Sequence, residues 1–160
     1  MLLVTGANGS GKTTLIRLLP GILQPGSGTV RCSAGTVSYV GHSLAIKDDL
    51  SVRENLLFIR NFLGDASTDC ESIIGRVGLG RVAAQLARTL SAGQRKRCAL
   101  ARLLLAESAL WLLDEPYANL DAEGMQMLDG MLREHLARGG ACALTTHGSL
   151  RPEGFDWQEC

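Results

Sequence analysis

The chain predicts an α/β fold, a parallel-sheet core carrying a helical insertion, and three observations support this. A short apolar run, Leu2 to Thr5, passes through a glycine-rich turn into the helical pattern Thr13 to Leu19. A wholly apolar run of strand length, Ala109 to Leu113, stops on the acidic pair Asp114 and Glu115, the pattern of a central parallel strand covered on both faces. Between the two lies a region, near 43 to 106, whose serine-to-glutamate and serine-to-glutamine spacings are helix starts.

The elements follow in order. Thr29 to Ser33 and Thr36 to Val40 are β-rich runs around Ala34 and Gly35, and predict a hairpin. Ser51 and Glu54 have capping-box spacing, and Gly64 offers a stop, so a helix is expected between them. Thr68 and Glu71 repeat the device for a shorter helix, and Ser91 and Gln94 repeat it before a helix from Arg95 to Ala106. Met125, Leu128, Leu132 and Leu136 recur at three- and four-residue steps, giving a helix that ends at Gly139 and Gly140. Ala141 to Thr146 is the next strand. One domain is expected over 1–160, with about 1–42 and 107–160 as core and about 43–106 as helical subdomain.

Composition narrows the function classes. Sixteen basic and sixteen acidic residues cancel, so no long-range field gathers nucleic acid or an anionic membrane. The run Arg95, Lys96 and Arg97 reads as a solvated helix face, and no nucleic-acid partner is expected. Five cysteines without a CxxC pair argue against a disulfide framework or a zinc site; Cys98 and Cys142 read as small core residues. Arg102 and Glu107 interrupt the most apolar stretch, so no membrane span is expected. The N-terminus reads as a buried strand, without a basic leader or cleavage site.

The chemistry begins with Gly6, Asn8, Gly9, Ser10, Gly11, Lys12 and Thr13, which fit the phosphate-loop pattern between a predicted strand and a predicted helix. Glycines there let backbone N–H groups turn inward onto a β-phosphate at the positive end of the helix. Lys12 neutralises β- and γ-phosphate charge, and Thr13 offers a hydroxyl to Mg²⁺. Thr14 completes the ATP-binding set. Asp114 is expected to hold Mg²⁺ through water, and Glu115 to polarise the attacking water as a general base.

Leu90, Ser91, Ala92, Gly93 and Gln94 resemble the signature sequence of ABC ATPases. With Glu115 and Pro116, the turn from Ala118 to Asp121, and His147, they complete that family's motif series in order. The resemblance implies a P-loop NTPase (RecA-like) core with an inserted helical subdomain. It also implies that Ser91, Gly93 and Gln94 face ATP bound to a second copy of the chain, so that a homodimer sandwiches two nucleotides. His147 would contact the γ-phosphate and the attacking water, and Asp121 would belong to the turn linking the two sites. His135, on the Met125 to Leu136 helix, reads as a solvated side chain.

Within the family, Gly41 and His42, Ile46 and Lys47, Leu50 to Val52, Glu54 to Leu56, Leu90 to Arg97 and Trp111 to Pro116 look like one subfamily: the haem exporter ATPases of bacterial c-type cytochrome maturation. That resemblance implies an ATP hydrolase coupled to transport, peripheral on the cytoplasmic face of the inner membrane and bound to integral membrane transporter subunits. The alternatives are an ATP-binding assembly module with little hydrolysis and the ATPase subunit of another ABC transporter. Three departures accompany the resemblance. The antiparallel edge of the core and its adenine-stacking aromatic read as missing before Gly6. Pro20 is expected to end or kink the helix after the phosphate loop. His42 replaces a glutamine that touches Mg²⁺ and water, which makes it a further candidate metal ligand.

Overall fold

A computed structural model describes residues 1–64, 67–146, 154–156 and 158–159. These described residues fall into two compact units, one drawn from 1–42, 108–116 and 129–159 and the other from 43–107 and 117–128.

The first unit holds a five-stranded sheet in the order β2-β3-β4-β1-β5, parallel throughout. Its strands are β1 (Leu2–Val4), β2 (Val37–Val40), β3 (Leu110–Leu113), β4 (Ala141–Thr145) and β5 (Gln158–Glu159). Alternation divides the side chains between the faces. Leu112 and Ala143 pack with Ile16 of helix α1 (Lys12–Leu18), and Leu2, Leu19, Val37 and Leu110 close around them. Trp111, one residue out of phase, turns to the opposite face and meets His135 of helix α5 (Ala122–Ala137). Helices on both faces explain why β3 is apolar at every position.

The predicted hairpin does not form. β2 pairs in parallel with β3, Val37 opposite Leu110 and Val40 opposite Leu113, and residues 27–36 are irregular. Val30 stays 42% exposed: the Thr29 to Ser33 run has the composition of a strand but no apolar surface to cover. Pro20 ends α1 and does not kink it. Its missing N–H falls beyond the last helical residue, and Gly21, at φ 76°, donates to the Leu18 carbonyl at 3.1 Å as the chain turns away.

The second unit is helical, with α2 (Val52–Phe62), α3 (Cys70–Arg76) and α4 (Ala92–Ala101) around a core that includes Leu56, Ile74, Leu79, Ala87 and Cys98. Ser51 caps α2 with a complete capping box, and Gly64 at φ 74° follows its end. The cap of α3 differs from expectation. Asp69, and not Thr68, accepts the free N–H of Glu71 at 2.9 Å, while the Glu71 carboxylate is taken up by Arg53 and cannot return to the cap. The expected solvated face of Arg95, Lys96 and Arg97 is also corrected: Lys96 is 4% and Arg97 8% exposed. Arg95 donates to the Ala87 carbonyl at 2.8 Å and pairs with Asp48 at 2.7 Å.

Candidate active site

The loop between β1 and α1 reverses direction through three glycines at positive φ: Gly6 at 143°, Gly9 at 80° and Gly11 at 97°. Side chains rarely adopt these angles, which is why the sequence places glycine there. Asn8 and Ser10 lie exposed on the same loop, and Ser10 donates its backbone N–H to the Ala7 carbonyl at 3.2 Å. Lys12, the first residue of α1, is 7% exposed. Its Nζ donates to the Gly6 carbonyl at 2.7 Å and to the Ala7 carbonyl at 2.9 Å, so the ammonium lies along the loop.

Parallel pairing brings distant residues to the same edge of the sheet. Thr13 Oγ1, in the first turn of α1, donates to Asp114 Oδ1 at 3.1 Å, although 101 positions separate them. Asp114 directly follows β3 and is 3% exposed. Glu115 is half-buried with φ at 48°, a left-handed backbone that a residue with a long side chain holds only under strain, and such strain concentrates at functional sites. Thr14 is exposed beside Thr13.

One member of this group was not anticipated. Thr145, the last residue of β4 and fully buried, donates Oγ1–H to Asp114 Oδ1 at 2.8 Å and accepts the Glu115 backbone N–H at 2.9 Å. The sequence offers one signal for it, a polar residue closing an apolar strand, which periodicity alone does not separate from a solvated strand end.

Thr13 and Asp114 present only oxygen donors, and such a pair suits a hard divalent cation such as Mg²⁺. Among the described residues no cluster of three or more His, Cys, Asp or Glu side chains could hold a metal; His42 itself is exposed. His147 lies outside the described residues.

These features form a glycine-rich loop held against Lys12, with a buried carboxylate against Thr13 and a second carboxylate alongside. Residues 1–118 match the family model described as ABC transporter. The chain belongs to the ABC transporter family. It is an ABC-type ATPase, with the parallel-sheet fold of its class. Its curated relatives include the cytochrome c biogenesis ATP-binding export protein CcmA of Bradyrhizobium diazoefficiens, 44% identical over 98% of this chain and 80% of the relative. The protein of the same name from Xanthomonas oryzae pv. oryzae is 46% identical over 92% of the chain and 74% of the relative. Among solved structures, a metal-chelate type ABC transporter in an inward-facing conformation superposes with a TM-score of 0.72 at 26% identity, over 91% of this chain and 62% of that one.

The residues that resemble the family's signature sequence lie in the second unit. Ser91 is exposed and caps α4: its Oγ accepts the Gln94 N–H at 3.2 Å, and Gln94 Oε1 accepts the Ser91 N–H at 2.9 Å. A Cβ on Gly93 would stand 2.9 Å from the Asn119 carbonyl oxygen, so glycine is what lets the 118–121 turn approach. Asp121 caps α5 by accepting the Gly124 N–H at 2.9 Å and receives Arg97 Nη2–H at 2.5 Å. These bonds, that of Gly124 first, hold its carboxyl below the usual range.

Two histidine and cysteine readings resolve differently. His135 is 8% exposed and stacked on Trp111, ring centroids 4.0 Å apart, with Nε2 at 2.9 Å from the Ala141 carbonyl; it is not a solvated side chain. Cys98 and Cys142 are core residues, as expected, and burial pushes their thiols up to about 11 and about 12, far from thiolate reactivity.

Proposed function

We propose that the chain is the ATP-hydrolysing subunit of an ABC transporter, closing as a dimer around two ATP and coupling hydrolysis to a membrane partner in haem export for cytochrome c maturation. The contact between Thr13 and Asp114 carries the reading, because it joins the phosphate loop to the acidic end of the central strand in one oxygen-lined site. The names of the cytochrome c biogenesis relatives support the choice of pathway.

In this reading Gly6, Asn8, Gly9, Ser10, Gly11, Lys12, Thr13 and Thr14 receive the phosphates, and Lys12 exchanges its loop carbonyls for β- and γ-phosphate oxygens. Thr13 and Asp114 would hold Mg²⁺ arriving with ATP, which neutralises phosphate charge. Glu115 takes a proton from the attacking water, with His147 beside the γ-phosphate. Ser91, Gly93 and Gln94 face the nucleotide of the second copy. The two compact units act together as one domain, and His42 stands in the position of the family's glutamine.

Among the described residues no helix is long and apolar enough to cross a membrane, and the reading assigns the membrane-spanning part to partner subunits. The end of α2 offers them apolar side chains: Phe58 is 46%, Phe62 81% and Leu63 46% exposed. The same reading puts the chain at the cytoplasmic face of the inner membrane, peripheral to those subunits.

The test is steady-state ATP hydrolysis with and without Mg²⁺, beside Glu115→Gln. Mg²⁺-dependent turnover that falls about 10²- to 10⁴-fold in the variant, with ATP still bound, is expected. Equal turnover in both proteins would remove Glu115 as the base.

A further inference from the structure

Arg97 sits in a slot that two glycines keep open. A Cβ on Gly78 would stand 2.7 Å from its Nη1, and one on Gly124 would stand 3.2 Å from its Nε. The side chain is 9% exposed, whereas its partners Asp121 and Glu123 are 70% and 79% exposed. Nη2 reaches Asp121 Oδ1 at 2.5 Å, and Nη1 lies 3.7 Å from Glu123 Oε1. One guanidinium thereby ties α4 to the start of α5 and packs against the turn after α3.

The join has a directional consequence. Arg97 lies on the helix that Ser91 opens, and Asp121 closes the turn whose Asn119 carbonyl rests against Gly93. Asn119 holds φ at 64°, the left-handed turn conformation that asparagine tolerates better than other side chains. The planar five-donor fork of arginine fixes both distance and orientation where a lysine fixes only charge.

We propose that Arg97 is a positioning residue: through Asp121 it locks the 118–121 turn onto the signature turn, so that Ser91, Gly93 and Asn119 meet the second copy's nucleotide as one rigid surface. This rests on the reading that two copies share each nucleotide. Arg97 then serves the ATP held by the other chain and not the ATP on its own phosphate loop.

That distinction can be measured by mixing variants of the full chain. Arg97→Ala alone is expected to lower kcat tenfold or more while KM and ATP affinity stay within about twofold, since only the reacting geometry is lost. Lys12→Ala alone should be inactive. In a mixed pair, one site combines the intact phosphate loop of the Arg97→Ala chain with the intact signature of the Lys12→Ala chain. Random pairing of equal amounts should therefore restore about a quarter of wild-type turnover.

Ser91→Ala mixed with Lys12→Ala is the control. Recovery in both mixtures supports the proposal. Recovery in the control alone overturns it, because Arg97 would then act within its own chain. A silent control overturns the shared-nucleotide reading, and the proposal with it. Should Arg97→Ala fail to fold, Asp121→Ser, a shorter cap that still offers an oxygen to the Gly124 N–H but withdraws it from Arg97, takes its place with the same expected pattern.

Discussion

Thr145 and Asp114 are joined by a buried hydrogen bond of 2.8 Å, and the same threonine oxygen receives the backbone N–H of Glu115 at 2.9 Å. One hydroxyl on β4 therefore orients both acidic residues at the end of β3. Removing it takes the acceptor from the part-buried Glu115 N–H and one of two donors from Asp114 Oδ1, which keeps Thr13. Thr145→Val should destabilise the fold by about 1–3 kcal/mol, the usual consequence of leaving a buried polar group unpaired. Turnover should fall by roughly ten- to hundredfold, because small misplacements of catalytic groups have effects of that size. Thermal unfolding and steady-state kinetics on one preparation check both. Full activity in a destabilised protein would make Thr145 a packing residue only.

Ser91 allows stability and function to be separated. Its Oγ caps α4, and replacing such a cap with alanine costs about 0.5–2 kcal/mol. Ser91→Ala should lose both the cap and turnover. Ser91→Asn restores an oxygen for the Gln94 N–H, so stability should return within a few tenths of a kcal/mol, while turnover stays low if the hydroxyl also serves a nucleotide. Restored turnover in Ser91→Asn would reduce the serine to a helix cap.

Asn55 holds the segment ahead of α2 in place. It is 7% exposed; its Oδ1 accepts the Lys47 N–H at 2.8 Å, and its amide donates to the carbonyls of Lys47, Leu50 and Ser51 at 2.9–3.2 Å. Asn55→Leu preserves approximate size but satisfies none of these groups, and a loss of about 2 kcal/mol or more is expected. Hydrogen exchange should show residues 45–51 opening before the α2 core. Protection unchanged across that segment would contradict the role assigned to Asn55.

Legibility in the sequence tracked how local each signal was. The Ser51 and Ser91 capping boxes are complete within four residues, and both stand in the structure as read. The apolar run of β3 and the glycine-rich turn before α1 were equally local, and they sufficed for the parallel α/β core. The hairpin failed because composition at Thr29 to Ser33 carries no information about a partner, and Val37–Val40 finds one about 70 positions away in β3. Arg97 was misread for a related reason: a charge run looks solvated until tertiary contacts supply the carboxylates that draw it inward. Thr145 and the stacking of His135 on Trp111 also depend on strand register, which single-segment patterns do not encode.

The His135 stack predicts a pH dependence with a definite sign. Burial, the main cause, lowers its folded-state pKa from 6.5; the hydrogen bond at the Ala141 carbonyl partly opposes this, and the nearby Arg138 charge adds to it. Because the folded state holds the proton less tightly than the unfolded chain, the stabilisation is complete above the unfolded value near 6.5. It declines as pH falls from there toward the lowered folded value. Stability should therefore drop as pH falls below about 6.5, with a slope of up to about 1.4 kcal/mol per unit, the limit for one proton. His135→Gln keeps an N–H near the Ala141 carbonyl and has no titrating group, so its profile should be flatter over that window. Trp111 fluorescence offers a second readout, since protonating the stacked imidazole changes the ring's immediate neighbour. Identical slopes for the wild type and His135→Gln would assign the acid sensitivity to other groups.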